Sequence, residues 1–278
     1  MTRNDFAEEL RVASDLARRA GALALAMQST GLKVDHKAHE EPVTAADRAA
    51  NQLIVDGLRA AFPHDAILSE ELPDDLSRLQ HDRVWMVDPI DGTKDFIRGD
   101  VGFAAMIGLL VGDSPAVGAV YQPSFDRLYT AVRGHGSFLS ENGAANLRLH
   151  VSDISDTTLL RMVASKSHRD ERIDEVRARL GVTDETNVGS VGLKLGLIAR
   201  GERDLYVNPV GHSKLWDACA PEVILVEAGG RMTDARGRAL AYRGKELGNL
   251  SGLIASNGRV HDDIVAKLAG LFGEPAKS

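Results

Sequence analysis

The chain of 278 residues carries 33 Lys and Arg against 40 Asp and Glu, a formal net charge of −7, and 44% of its residues are hydrophobic. This composition is typical of a globular protein and argues against disordered, collagen-like and coiled-coil chains. The net negative charge argues against a partner that is a nucleic-acid polymer, because affinity for a phosphate backbone comes from clustered Lys and Arg.

Two features bear on the compartment. The single cysteine, Cys219, cannot form an internal disulfide, so the chain needs no oxidising environment, and we interpret it as buried packing. The N-terminal residues lack the apolar run of a signal peptide, and the longest apolar stretch, residues 103–111, is far shorter than the ~20 residues that cross a bilayer. We therefore expect a cytoplasmic protein with no membrane span.

Two helices are predicted at the start of the chain. Apolar residues recur at spacings of three and four from Phe6 to Met27, which predicts a helix that ends at Gly31. Thr44 and Asp47 resemble a capping box, and the apolar face that follows predicts a second helix that runs up to Pro63.

Strand signals follow these helices. Residues 66–68 and 83–87 are short β-favouring runs that each end in acidic residues, and strands ending in carboxylates are a good place for a site. Residues 103–149 alternate apolar runs with turn residues, as an antiparallel meander does. We expect an α+β domain over residues 1–150, with helices on one face of an antiparallel sheet.

The remaining half alternates strands and helices. This order favours a layered α/β domain over residues 151–278, packed directly against the first, and the cleft between two such domains is the default place for a ligand. The predicted strands are residues 161–165, 204–208 and 252–256, and the predicted helices are residues 171–180, 192–199, 216–228 and 260–271.

The segment from Asp88 to Thr93 has the most informative chemistry. Asp88 and Asp91 lie three apart at a strand end and can converge on one hard cation, to which the Ile90 carbonyl adds an oxygen. Gly92 and Thr93 then begin a helix, whose unpaired N–H groups and dipole favour a phosphate. On its own, the segment is also typical of an ordinary strand-to-helix turn.

Two further acidic residues can join this cluster. Glu70 follows the strand at residues 66–68, and Asp217 opens an apolar helix in the position of an N-cap. Each alone is equally typical of an exposed acid or a simple cap. With Asp88 and Asp91 they make four carboxylates, enough for two or three Mg²⁺ ions, because Mg²⁺ takes about one or two carboxylates and completes its shell with water and phosphate oxygens.

In order and spacing, these segments resemble the three signatures of the inositol monophosphatase superfamily of Mg²⁺-dependent, lithium-sensitive phosphatases. The resemblance extends over nearly the whole chain and implies a layered αβαβα sandwich of the sugar-phosphatase type, with two packed subdomains. The matching segments are Glu70-Glu71, Asp88-Pro89-Ile90-Asp91-Gly92-Thr93, and Trp216-Asp217 before a helix that ends in Glu227-Ala228-Gly229-Gly230.

Roles for individual residues follow from this resemblance. It implies that Thr93 and Glu70 orient an attacking water, and that the amides of Gly92 and Thr93 hold the phosphate. Asp47, in a segment similar to the family's V-T-x-x-D, would lie behind the metal ligands or at a third ion. The reaction would be direct in-line hydrolysis without a phospho-enzyme. The implied metal ligands are Glu70, Asp88, the Ile90 carbonyl, Asp91 and Asp217.

Three departures point away from plain inositol phosphate hydrolysis. Ser69 stands where inositol monophosphatases usually have Gly, and Val210 where they tend to carry a sugar-binding Glu. Residues 94–97 resemble the T-K-E-F-I continuation of 3'(2'),5'-bisphosphate nucleotidases.

A fourth hint concerns residues 189–194. They are similar to the helix start that contacts the second phosphate in bisphosphate nucleotidases, which implies that Ser190 and Lys194 bind substrate. The alternative is that Lys194 extends from a surface helix towards solvent.

We therefore expect hydrolysis of 3'-phosphoadenosine 5'-phosphate to AMP and phosphate. Inositol-1-phosphate and other sugar phosphates, including histidinol phosphate, are alternative substrates within the same class. A non-catalytic regulator with this fold is a further alternative, but four converging carboxylates repel one another without metal. The expected partner is a small phosphorylated substrate, and a homodimer is consistent with the resemblance.

Overall fold

The structure, a computed structural model, describes residues 5–29, 34–36, 42–166, 170–209 and 213–272. Gly31, the predicted end of the first helix, and Val210, at the position where inositol monophosphatases tend to carry Glu, lie outside the described residues.

Helices α1 (Ala7–Gln28) and α2 (Ala45–Ala61) pack against each other, and a short antiparallel pair, β1 (Val34–His36) and β2 (Pro42–Thr44), precedes α2. The predicted capping box is present: Thr44 Oγ1 accepts from the amides of Ala46 and Asp47, and Asp47 Oδ2 accepts from the Thr44 amide. The cap fixes where α2 begins and buries the Asp47 carboxylate.

The larger sheet has seven strands in sequence order, and one edge of it differs from the prediction. β3 pairs parallel to β4, so the sheet is mixed and not purely antiparallel; the crossover between them lets both strands end at the same edge. The other pairs are antiparallel. The strands are β3 (Ala66–Ser69), β4 (Arg83–Asp91), β5 (Ala104–Val111), β6 (Ser114–Gln122), β7 (Arg127–Val132), β8 (Gly136–Glu141) and β9 (Leu147–Arg148).

The second sheet has five strands in the order β11-β10-β12-β14-β13. β10 is parallel to β11 and β12, whereas β14 is antiparallel to β12 and β13. The strands are β10 (Arg161–Ser165), β11 (Asp184–Val188), β12 (Leu205–Asn208), β13 (Arg231–Thr233) and β14 (Leu253–Ser256).

Within the described residues, five further α-helices complete the fold: α3 (Thr93–Ile97), α4 (Arg172–Leu180), α5 (Val191–Ala199), α6 (Leu215–Glu227) and α7 (His261–Lys267). α1 and α2 cover one face of the seven-stranded sheet, α5 and α6 lie between the sheets, and α4 and α7 cover the outer face of the five-stranded sheet. The predicted αβαβα sandwich is confirmed. Among the described residues, no helix is both long and apolar enough to span a membrane.

Two paired glycines bring α6 close to the larger sheet. Gly108 on β5 and Gly118 on β6 are partners in register, and a β-carbon at Gly108 would lie 2.8 Å from the Ala220 nitrogen, while one at Gly118 would lie 2.5 Å from the Ala220 carbonyl oxygen. The absence of side chains at both positions lets α6 rest directly on β5 and β6. The first turn of α6, which carries Asp217, thereby approaches the end of β4.

Candidate active site

An irregularity at the end of β4 places two carboxylates in one cleft. Residues three apart in a regular strand point to opposite faces of a sheet. The pairing of β4 with β5 shifts register between Asp88 and Asp91, and both side chains line the same cleft. The preceding strand contributes Glu70, whose amide donates to the Val87 carbonyl (3.1 Å) and so lies beside Asp88.

The cleft has a volume of about 450 Å³ and brings together the four predicted acidic residues. It is lined by elements of both sheets, with lysines from three separate segments near the carboxylates. Its polar lining comprises Glu70, Asp88, Asp91, Thr93, Lys94, Ser165, Asp170, Lys194, Tyr206, Asn208, Ser213, Lys214 and Asp217.

Asp88 is the most crowded of the acids. Its Oδ1 accepts from the Ile90 amide (3.0 Å), and its side chain lies next to those of Glu70 and Asp217. Burial raises the pKa of Asp88 well above its usual range, and the charges of Glu70, Asp91 and Asp217 raise it further. Acidic groups packed this closely need either shared protons or a cation between them.

Asp217 is held by the start of α6, although not as predicted. It lies in the first turn, three residues after the N-cap Lys214, so the interpretation of Asp217 as the N-cap itself is wrong. Its Oδ2 accepts from the Lys214 amide (2.7 Å), and burial, followed by the charge of Asp91, raises its pKa well above the usual range. This hydrogen bond holds the Asp217 carboxylate at the N-terminal end of α6.

Asp91 is oriented by the start of α5. Its Oδ2 accepts from Ser190 Oγ (2.5 Å) and from the Gly192 amide (2.9 Å). Burial raises the pKa of Asp91, while Lys194 and these two donors oppose the rise. Ser190, predicted to bind substrate, is fully buried behind Asp91, where its hydroxyl also accepts from the Leu193 amide (3.1 Å). Its side chain therefore does not line the cleft.

Thr93 and Asp47 form a second hydrogen-bonded pair. Thr93 Oγ1 lies 3.1 Å from the Ile90 carbonyl oxygen and 3.4 Å from Asp47 Oδ1. Thr93 lines the cleft, whereas Asp47 is buried behind it in the capping box of α2. Gly92, which caps α3, has φ +97°, and a β-carbon there would lie 2.8 Å from the Gly102 carbonyl oxygen. Only glycine fits this turn.

Lys194 is a buried cation at the cleft. Its side chain is 1% exposed, and its Nζ donates to the carbonyls of Gly189 (2.7 Å) and Val188 (3.2 Å) and lies 5.1 Å from the centre of the Tyr206 ring. Burial lowers its pKa to about 8, against the opposing charges of Asp91 and other nearby acids. The alternative that Lys194 extends from a surface helix into solvent is wrong.

Ser69 faces away from the cleft. Its buried hydroxyl donates to Asn51 Oδ1 on α2 (2.6 Å). Ser69 therefore does not select a substrate by direct contact. The sequence interpretation missed Tyr206, which belongs to no motif and lines the cleft from β12. Its only sequence signal is the predicted strand at residues 204–208.

The oxygen atoms of the four carboxylates and of the Ile90 carbonyl are chemically suited to a hard metal ion. Among the described residues, no three acidic, imidazole or thiol groups form a preassembled metal cluster, and the acids interact through charge and pairwise contact. Carboxylates and a backbone carbonyl are the ligands that hard divalent cations prefer. Burial, and after it the charges of the neighbouring acids, raises the pKa of Asp88 and of Asp217, and a bound cation would counter both effects.

A five-layered αβαβα fold with carboxylates and a buried lysine in one cleft is typical of a metal-dependent phosphatase. The chain belongs to the Inositol monophosphatase family, which matches residues 5–271 and whose members are generally metal-dependent. It is 36% identical to the 3'(2'),5'-bisphosphate nucleotidase CysQ of Escherichia coli strain K12 over 234 residues, 83% of this chain and 92% of the relative.

Two other similarities support the same class. The chain is 34% identical to a histidinol-phosphatase of Mycobacterium tuberculosis over 265 residues, 94% of this chain and 98% of the relative. The crystal structure of CysQ from Bacteroides thetaiotaomicron is similar with a TM-score of 0.77 at 28% identity, covering 91% of this chain and 98% of that one. The family and these relatives support phosphatase activity.

Proposed function

We propose that the chain is a Mg²⁺-dependent phosphomonoesterase that hydrolyses 3'-phosphoadenosine 5'-phosphate to AMP and phosphate. The observation that carries this proposal is the buried ammonium of Lys194 in the same cleft as the four carboxylates. A substrate with two phosphates offers one to the metal-binding acids and a second to this cation. The similarity to CysQ nucleotidases supports the same substrate class.

Two or three Mg²⁺ ions would be held by Glu70, Asp88, the Ile90 carbonyl, Asp91 and Asp217. When bound, such ions neutralise the phosphate dianion, stabilise the leaving oxygen and lower the pKa of a water molecule.

The chain's own residues orient the reactants. The Thr93 hydroxyl has one proton, which Ile90 or Asp47 accepts, so its lone pairs remain for a proton of the attacking water. The Glu70 carboxylate would accept another proton of that water. Asp47 acts through Thr93, and the amides of Gly92 and Thr93 would hold a phosphate oxygen at the start of α3.

Lys194 would bind the second phosphate. An ammonium group has three hydrogens, and within the described residues two of them are donated to the carbonyls of Gly189 and Val188. The third would be donated to a phosphate oxygen. Such a charge-assisted hydrogen bond in a buried site contributes about 1.5–3 kcal/mol.

Histidinol phosphate is the second candidate substrate, because the histidinol-phosphatase match extends over 94% of the chain against 83% for CysQ. Inositol-1-phosphate is a further monophosphate alternative within the family. Neither brings a second phosphate to Lys194.

Replacement of Lys194 separates these substrates. Lys194→Met should lower kcat/KM for 3'-phosphoadenosine 5'-phosphate by about 10- to 100-fold, and for the two monophosphates by less than about 3-fold. Exposed Lys245→Met is the matched control and should leave all three values unchanged. Equal losses on bisphosphate and monophosphate would contradict the assignment of Lys194 to a second phosphate.

A further inference from the structure

We infer that Asp95 is a positioning residue that holds the metal ligand Asp91 and the cation Lys194 in a fixed relation through a junction of close-packed glycines. The inference rests on the proposed function. Asp95 lies outside the cleft lining, and its carboxylate packs against the backbone of two segments that lead to the site.

The Asp95 carboxylate occupies space that side chains of two glycines would otherwise take. Asp95 is 1% exposed, and a β-carbon at either Gly102 or Gly189 would overlap its Oδ2. At Gly189, the same β-carbon would also lie 2.9 Å from the Gly102 carbonyl oxygen. Asp95 therefore sits where α3, the segment before β5 and the segment before α5 meet.

Two connections lead from this junction to the cleft. The Ser190 amide donates to the Gly102 carbonyl (3.0 Å), and the Ser190 hydroxyl donates to Asp91. The carbonyl of Gly189 accepts from Lys194 Nζ. A shift of Gly102 or Gly189 would thus move the donor that orients Asp91 and the acceptor that holds Lys194.

Charge adds to the packing. Asp95 is one of three acids whose negative charge favours the protonated form of Lys194, together with Asp91 and Asp217. Its own carboxylate pairs with Arg98 at 3.4 Å. An uncharged side chain of the same shape would keep the packing but remove this support for the ammonium group.

The test compares Asp95→Ala, which removes the packed carboxylate, with the wild type by calorimetric titration of Mg²⁺ alone and by steady-state hydrolysis of 3'-phosphoadenosine 5'-phosphate. Loss of a residue that orients metal ligands typically weakens metal affinity or activity about 10- to 100-fold. We expect the Kd for Mg²⁺ to rise and kcat/KM to fall by about 10-fold each, with the residual activity restored in part by excess Mg²⁺.

Asp204→Ala is the matched control. Asp204 is a fully buried carboxylate that pairs with Arg161 at 2.8 Å and lies away from the cleft lining. The substitution at Asp204 should lower the unfolding midpoint without a change in the Kd for Mg²⁺. If Asp95→Ala behaves like Asp204→Ala, with lower stability and unchanged Mg²⁺ affinity, Asp95 is structural and the inference is wrong.

A second variant tests the junction with Asp95 retained. Gly189→Ala adds one methyl group against the carboxylate and should weaken Mg²⁺ binding by a similar factor. Both substitutions act through the same contact. The double variant Gly189→Ala/Asp95→Ala should therefore lose less free energy of Mg²⁺ binding than the two single variants added together. Additive losses would contradict the inference. If the wild type binds Mg²⁺ but hydrolyses none of the candidate esters, the proposed function fails, while the Mg²⁺ titrations still decide the role of Asp95.

Discussion

Asp91 depends on donors from a distant part of the chain, and its own replacement tests the proposed metal ligation. Asp91→Asn keeps the acceptor for Ser190 and Gly192 but removes the charge that a cation needs. We expect Mg²⁺-dependent phosphate release to fall by at least about 100-fold, more than for a residue that only supports a ligand. Exposed Asp113→Asn, on the loop between β5 and β6, is the control and should retain full activity. Unchanged release in Asp91→Asn would contradict the ligand assignment.

His261 supplies a pH dependence of stability that is separate from the cleft. It is buried at the start of α7, where Ser256 Oγ lies 2.8 Å from Nδ1 and Thr233 Oγ1 lies 2.9 Å from Nε2. Because Thr233 donates its only hydroxyl proton to the Asp234 carbonyl, Nε2 must be the donor to Thr233, and Nδ1 accepts from Ser256. Burial, with the charge of Arg231, lowers the pKa of His261 to about 4.

The sign of the effect follows from this lowered pKa. The unfolded chain gains a proton near pH 6.5 while the folded chain does not, so stability is highest above that pH and falls as the pH drops towards 4. Between pH 7.5 and 5.0, this histidine should account for a loss of about 2 kcal/mol in the free energy of unfolding. Urea unfolding of the wild type and His261→Gln at both pH values measures it. An equal pH dependence in the two proteins would show that His261 does not contribute.

At the same scale, the sequence motifs identified which residues meet but not where each side chain points. The four acids meet in the cleft because strand ends and a helix start carry them there. Ser69 and Ser190 lie beside motif residues, yet their hydroxyls bond to Asn51 and Asp91 away from the cleft surface. Such directions depend on tertiary neighbours that local spacing does not encode.

At the scale of elements, strongly periodic segments were predictable and polar edge strands were not. The helix over α1, the capping box of α2 and the meander from β5 to β8 follow from apolar periodicity and turn residues. Among the described strands, β11, with the sequence DETNV, pairs with β10 alone at the sheet edge, and Val188 is its single apolar residue, so no apolar alternation signals a strand. The parallel pairing of β3 with β4 arises from the chain's crossover, which no local pattern records.

The contact of α6 with the larger sheet gives an element-scale prediction. Gly118→Ala would place a methyl group against the Ala220 carbonyl and Val223, so α6 must shift. We expect a loss of about 1–3 kcal/mol in the free energy of unfolding, together with reduced activity because α6 carries Asp217. Ser114→Ala, at an exposed position on the same strand, should change neither. Native stability and activity in Gly118→Ala would show that the close approach is not required.

At the scale of the whole molecule, the acids come from both halves of the chain, so a bound cation should stabilise the folded state as a unit. Mg²⁺ at about 100 times its Kd contributes about 2.7 kcal/mol to folding. For a chain of this size, that should raise the unfolding midpoint by about 5–10 °C. Thermal unfolding with Mg²⁺ and with excess chelator measures the shift, which Asp91→Asn should largely abolish. An identical midpoint in Mg²⁺ and chelator would contradict a cation bound between the two halves.

The most direct measurement of the central claim is phosphate release by the purified protein from 3'-phosphoadenosine 5'-phosphate, inositol-1-phosphate and histidinol phosphate, each with Mg²⁺ and with chelator. We predict release that requires Mg²⁺ and a kcat/KM highest for the bisphosphate nucleotide. Preference for either monophosphate would preserve the metal chemistry and reject the second-phosphate site at Lys194. Release that persists in chelator, or no release from any of the three esters, would contradict the proposed function.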